Sequence, residues 1–149
     1  MLCAAVNACK KVSGPANGKS IQQNNKLDSL VFMGASINGV TWNADSAFAY
    51  SVKSSGNDSA MRNILINAVS TANGNNSTIQ FNIYNYSGAA KYGVNPPLVT
   101  ATYYIGTQRH FANYGYVDIT SDTAHAMIGN FYFSADSFNI NGSFNVATP

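Results

Sequence analysis

The sequence contains no glutamate. All 6 of its acidic residues are aspartates, and only 9% of its 149 residues are charged. About a quarter is usual for a soluble domain. Lysine and glutamate build the solvated faces of helices, so their scarcity argues against a helical protein. Cysteine is just as scarce: Cys3 and Cys9 are the only two, both near the start of the sequence. No framework disulfide can therefore staple the body of the chain, and there is no C-x-x-C metal pair. A Cys3–Cys9 bridge would close only a trivial loop. The net charge of +2, with Lys10-Lys11 as its one local cluster, is too small and scattered for a nucleic-acid surface. No nucleic-acid partner is expected. No apolar run approaches the roughly 18 residues of a membrane-spanning helix.

What is present is asparagine, about twenty of them, together with 9 Tyr and 8 Phe. Asparagine suits turns because its side chain bonds local backbone and tolerates positive φ. Tyrosine and phenylalanine suit strands. The hydrophobic residues alternate to match. In Val31 to Ile37 they place Met33, Ala35 and Ile37 on one face, and Val40, Trp42 and Ala44 share a face in the next run. Asn38-Gly39 between them is a two-residue hairpin signal. Ala47 to Val52 aligns Phe48, Tyr50 and Val52. Arg62 to Ser70 is apolar on both faces at Ile64, Leu65 and Ile66, as in a central strand. Ser77 to Asn85 is the cleanest strand, with Ile79, Phe81 and Ile83 inward and Gln80, Asn82 and Tyr84 outward.

The remaining expectations are these. Ser87 to Pro97 is irregular, because Pro96-Pro97 precludes ordinary pairing, and Leu98 to Ile105 is a strand. Gly106 to Asn113 is a loop carrying Arg109 and His110. Val117 and Ile119 face inward, as do Met127, Phe131 and Phe133, with Gly129 marking a bulge or a close approach. Asn141-Gly142 is a second hairpin turn. The expected fold is all-β: an antiparallel β-sandwich or flattened calycin-like barrel of about 8–10 short strands. It occupies residues 30–149, after a signal remnant and polar linker over 1–29.

In that first segment, Val6-Asn7-Ala8-Cys9 resembles a bacterial lipobox, which makes Cys9 the candidate lipid attachment site. Eight residues before Cys9 are fewer than a basic leader and apolar stretch require, so a remnant of a signal is expected. Lys11 to Ser29 has the composition of a tether.

Two stretches point to a family. Met33 to Ala44, MGASINGVTWNA, resembles the opening strand pair of small Bacteroidetes-type lipoproteins. Gly115 to Thr120 (GYVDIT), Ile128 to Ala135 (IGNFYFSA) and Ile140 to Val146 (INGSFNV) resemble that family's closing block. The resemblance implies a secreted or lipid-anchored all-β domain of unknown function, some members being labelled calycin-like. It implies residence in the envelope of a Gram-negative bacterium, periplasm-facing or surface-exposed. It carries no catalytic residues.

The residues themselves offer little chemistry. His110 and His125 are the only histidines, and with Asp118 and Asp122 they read as solvated polar residues at strand ends. Two histidines and scattered aspartates (Asp45, Asp58, Asp118, Asp122, Asp136) show no metal-ligand spacing. There is no G-x-S-x-G, G-x-G-x-x-G or Walker loop. Neither an enzymatic activity nor a cofactor or metal is expected. Binding is the stronger expectation. Tyr104, Tyr116 and Tyr132 fall on outer faces of successive strands, as one candidate binding patch for a glycan or protein partner. Trp42 reads as core. The other readings are a carrier of a small apolar ligand in a barrel cavity and a structural or adhesive surface component. The sequons at Asn57 and Asn85 are incidental in a bacterial lipoprotein.

Overall fold

The alternation of apolar and polar residues is realised as strands almost throughout. The computed structural model describes residues 31–53, 62–74 and 76–148. Its strands are β1 (Phe32–Ile37), β2 (Val40–Asn43), β3 (Ser46–Lys53), β4 (Arg62–Ser70), β5 (Ser77–Tyr86), β6 (Lys91–Gly93), β7 (Val99–Ile105), β8 (Gln108–Asp122), β9 (Ala126–Ala135) and β10 (Phe138–Ala147), with one 3-10 turn at Ala72–Gly74. Cys9 and the segment read as signal remnant and linker lie outside the described residues, as does Asn57.

Every strand pairing is antiparallel, in the order β2-β1-β10-β9-β8-β7-β5-β4-β3, with β6 added beside β8. The sheet curls into a half-barrel, so the all-β expectation holds. One lobe is β2-β1-β10-β9 with the later part of β8; the other is β7-β5-β4-β3 with its first residues. Two corners join the lobes. At the first, β8 leaves β7 after Phe111 and pairs with β9 from Ala112 onward. The register slips between Ala112 and Tyr114, and Gly115 has φ of 146°. A Cβ there would lie 2.6 Å from Phe133 Cα. A bulge followed by a glycine bends the strand while keeping its ladders. At the second corner, Ala44 N donates to Met33 O (2.9 Å) in one lobe and Asp45 N to Val69 O (2.8 Å) in the other. Two consecutive residues thus tie the outermost strands, β2 and β3, together.

The core fills the space between the lobes. Phe81 of β5 meets Phe131 and Phe133 of β9 with ring centroids 4.9 and 5.7 Å apart, and Phe131 stacks on Phe144 of β10 at 6.4 Å. Trp42 is buried, as expected, and its Nε1 donates to Ser77 Oγ at 2.8 Å, fastening β2 to the opposite lobe. In β3 the face shared by Phe48 and Tyr50 is the outer one: they are exposed, while Ala47 and Ala49 take the core side. β3 packs across β1 and β10, and only small side chains fit between strands that approach so closely.

Three local expectations are corrected. Lys91–Gly93 is not irregular but forms β6, on the flank of β8 that β7 has left free. Gly106 to Asn113 is not a loop: only Gly106-Thr107 turns, with Gly106 at φ 60°, and β8 starts at Gln108. Asn141-Gly142 is not a turn but lies inside β10. The turn before β10 is Asp136-Ser137, with Asp136 at φ 49°. Asn38-Gly39 does turn, at φ 49° and 84°, the conformation expected of a type I′ hairpin. The Asn38 side chain also binds the other turn, donating to Ser137 O (3.1 Å) and accepting from Asn139 N (2.8 Å).

Candidate functional site

Cross-strand register decides which outward side chains meet. On the β2-β1-β10-β9-β8 lobe one row runs Thr41, Ser36, Asn141, Tyr132, Tyr116, and the next runs Asn43, Gly34, Ser143, Asn130. Large side chains stand at the β8–β9 end of these rows and small ones in the middle. The result is an open trough of about 610 Å³. Gly34 leaves its place in the lining bare: a Cβ there would meet only Asn43 Oδ1, at 3.4 Å. None of the lining side chains among the described residues is charged.

The wall is a tyrosine cluster. Tyr132 is its central ring, with centroid distances of 5.9 Å to Tyr114 and 6.3 Å to Tyr116. The hydroxyls of Tyr114 and Tyr132 share a hydrogen bond of 3.1 Å. That bond raises the Tyr132 hydroxyl above its ordinary pKa and, with a hydrogen bond from Ser134, lowers Tyr114. Lys91 Nζ lies 3.7 Å from the Tyr116 ring centroid and covers one face of it, a cation–π contact supplied by β6.

Of the three tyrosines read as one patch, the structure brings Tyr116 and Tyr132 together as a directly opposed pair. Tyr104 is elsewhere. It opposes Arg109 on the other lobe, seven residues and so roughly 20 Å along β8 from Tyr116. Its hydroxyl donates to Gln80 Oε1 at 3.2 Å, and Arg109 lies 5.7 Å from its ring. Position on successive strands suggests one patch, and the corner in β8 divides it. Tyr114 takes the vacant place beside Tyr132. Its outward position follows from the bulge, which shifts the alternation by one residue.

His110 is a correction. It is buried in β8 rather than solvated in a loop, and its Nδ1 is 2.7 Å from Asp136 Oδ2. The rings of Phe138 and Tyr103 pack around it at 4.8 and 6.3 Å. His110 Nε2 is buried and has no hydrogen-bond partner among the described residues. The pair ties the β9–β10 turn to β8. His125 is exposed before β9, and Asp122 accepts from the buried Tyr86 hydroxyl at 2.8 Å. Among the described residues no three His, Cys, Asp or Glu side chains gather as a metal set.

Tyr86 has a consequence for stability. Burial, then the hydrogen bond to Asp122 and its charge, push the Tyr86 hydroxyl well above the ordinary phenol value, and burial raises Tyr103. The folded protein therefore keeps these protons at a pH where the unfolded chain releases them. Their contribution is intact below the unfolded value and falls as pH rises above it. The urea midpoint is expected to drop between about pH 8 and about pH 11, and Tyr86→Phe is expected to reduce that drop. An unchanged midpoint in the parent protein would contradict this. No family model matches the chain, and neither a curated protein nor a solved structure does.

Proposed function

We propose that the protein is a non-enzymatic envelope lipoprotein, tethered through Cys9, that binds a neutral glycan in the trough on the outer face of β2-β1-β10-β9-β8. The observation that carries the glycan reading is the trough's make-up: a bare glycine floor, asparagine, serine and threonine side chains along it, and the Tyr132 cluster at one end. Sugars offer alternating hydroxyls and a C–H face. Amides and hydroxyls satisfy the first, and an aromatic ring packs on the second. The absence of charged side chains from the lining favours a neutral sugar over an acidic one. The lipobox-like residues before Cys9 and the resemblance to small Bacteroidetes-type lipoproteins support the tether and the envelope address.

The carrier reading has less support, because four phenylalanines occupy the space between the lobes. The test is a glycan array followed by calorimetry with the neutral oligosaccharide it selects. Tyr132→Ala removes the central ring, and Gly34→Leu fills the floor where an added Cβ has room. Each is expected to weaken binding by about ten-fold or more, which is about 1.4 kcal/mol. Tyr104→Ala, on the other lobe, is expected to leave it unchanged. A blank array, or wild-type affinity in both trough variants, would sink the reading.

A further inference from the structure

We propose a second binding site at the open end of the half-barrel, between β2 and the ends of β4, β5 and β7, for a small neutral amphiphile: an apolar chain or ring bearing one hydroxyl. The cleft there measures about 630 Å³, within the range of roughly 300–1,000 Å³ typical of small-molecule sites. Its lining is mixed: Trp42, Tyr103, Ile37, Ile105 and Phe138 supply the apolar part, beside asparagine, serine and threonine side chains. Ile37, Ile105 and Phe138 remain only partly buried, so the cleft presents apolar surface that a ligand would cover.

The second observation is polar. Ser70, the last residue of β4, lines the cleft and is 1% exposed, yet its Oγ has no hydrogen-bond partner among the described residues. A buried hydroxyl left unpaired is costly. Of the cleft's other polar groups, Trp42 Nε1 donates to Ser77 Oγ, Asn38 is bound to the Ser137–Asn139 turn, and Asp45 Oδ2 accepts from both Thr71 N and Thr71 Oγ1 at 2.6 Å, while Thr41 and Asn43 are exposed at the rim. Ser70 Oγ is thus the buried, unpaired handle for a ligand hydroxyl. Asp45 is also the only charged residue of the lining among the described residues. Its carboxylate at the rim disfavours an anion, which separates a neutral alcohol from a fatty carboxylate of the same length.

This site is distinct from the trough. Thr41 and Asn43 border both spaces, but strand alternation puts the trough on the outer side of β2 and the Trp42 ring on the inner side.

Trp42 is the only tryptophan in the sequence, so its emission reports this cleft alone. The test titrates the full chain with 1-octanol and, separately, with octanoate, following Trp42 fluorescence. A saturable change with 1-octanol is expected, with octanoate weaker by about ten-fold. Ser70→Ala deletes the hydroxyl without adding bulk and is expected to weaken 1-octanol by about five-fold while leaving the circular dichroism spectrum and melting intact. Gly34→Leu, which fills the trough, is expected to leave the response unchanged. Absence of a saturable response to 1-octanol, equal binding of octanoate, or a folded Ser70→Ala protein that binds like the parent would overturn the proposal.

Discussion

Gly142→Ala is expected to destabilise the protein by about 4 kcal/mol or more, a large part of the roughly 5–15 kcal/mol that holds a domain together. Gly142 lies on the inward side of β10, opposite Ala35 of β1 and Phe131 of β9. An added Cβ would overlap the Gly34 carbonyl oxygen and stand 2.6 Å from Phe131 Cζ and 2.9 Å from Ala35 Cα. Overpacking costs about 1–3 kcal/mol when side chains can give way. Here two of the three obstacles are backbone, and β10 is held on both sides by ladders to β1 and β9. Relief requires β1 to part from β10. Gly34→Ala, one strand away on the outer side, is the control. Its Cβ meets Asn43 Oδ1 alone, at 3.4 Å, and its cost is expected to stay within about 1 kcal/mol. Urea unfolding of the two variants checks the contrast, and equal midpoints would contradict it.

Phe131→Ala is expected to cost about 3–5 kcal/mol. Phe131 is 2% exposed and is the ring on which both lobes meet: it packs on Phe81 from β5 and on Phe133 and Phe144 from its own lobe. Truncation leaves a cavity bounded by three other rings and by strands fixed in their ladders, so little can collapse into it. The next residue, Tyr132, points the other way. Tyr132→Ala is expected to cost less than about 1 kcal/mol in stability while removing most glycan binding. Thermal and urea unfolding of Phe131→Ala, with Tyr132→Ala beside it, measures the difference. A Phe131→Ala protein as stable as Tyr132→Ala would mean that the interior is not packed as described.

How much of this was legible in the sequence depended on range. β5 was read to within one residue of its end, because Ile79, Phe81 and Ile83 alternate with polar neighbours. Asn38-Gly39 was read because a type I′ turn is a local event. The same dipeptide misled at Asn141-Gly142, where glycine is demanded by close packing of β1 and Phe131 against β10 rather than by a turn. Local sequence cannot separate those two uses. The His110–Asp136 pair joins residues 26 apart, and nothing in either neighbourhood announces it. The pairing of Tyr116 with Tyr132 was within reach, since both were read as outward, but the β8 corner that removes Tyr104 and recruits Tyr114 rests on a bulge. The trough itself was hidden, because its depth comes from Gly34 and Ser143 standing side by side on strands far apart in sequence.

The most direct test of the trough as the working surface is amide chemical-shift mapping of the protein titrated with the neutral oligosaccharide that the array selects. The expected result is a saturable set of shifts confined to Gly34, Ser36, Asn43, Asn130, Tyr132 and Ser143 and their immediate neighbours. Shifts centred on Tyr104 and the β3-β4-β5-β7 face, or no shifts at saturating sugar, would contradict it.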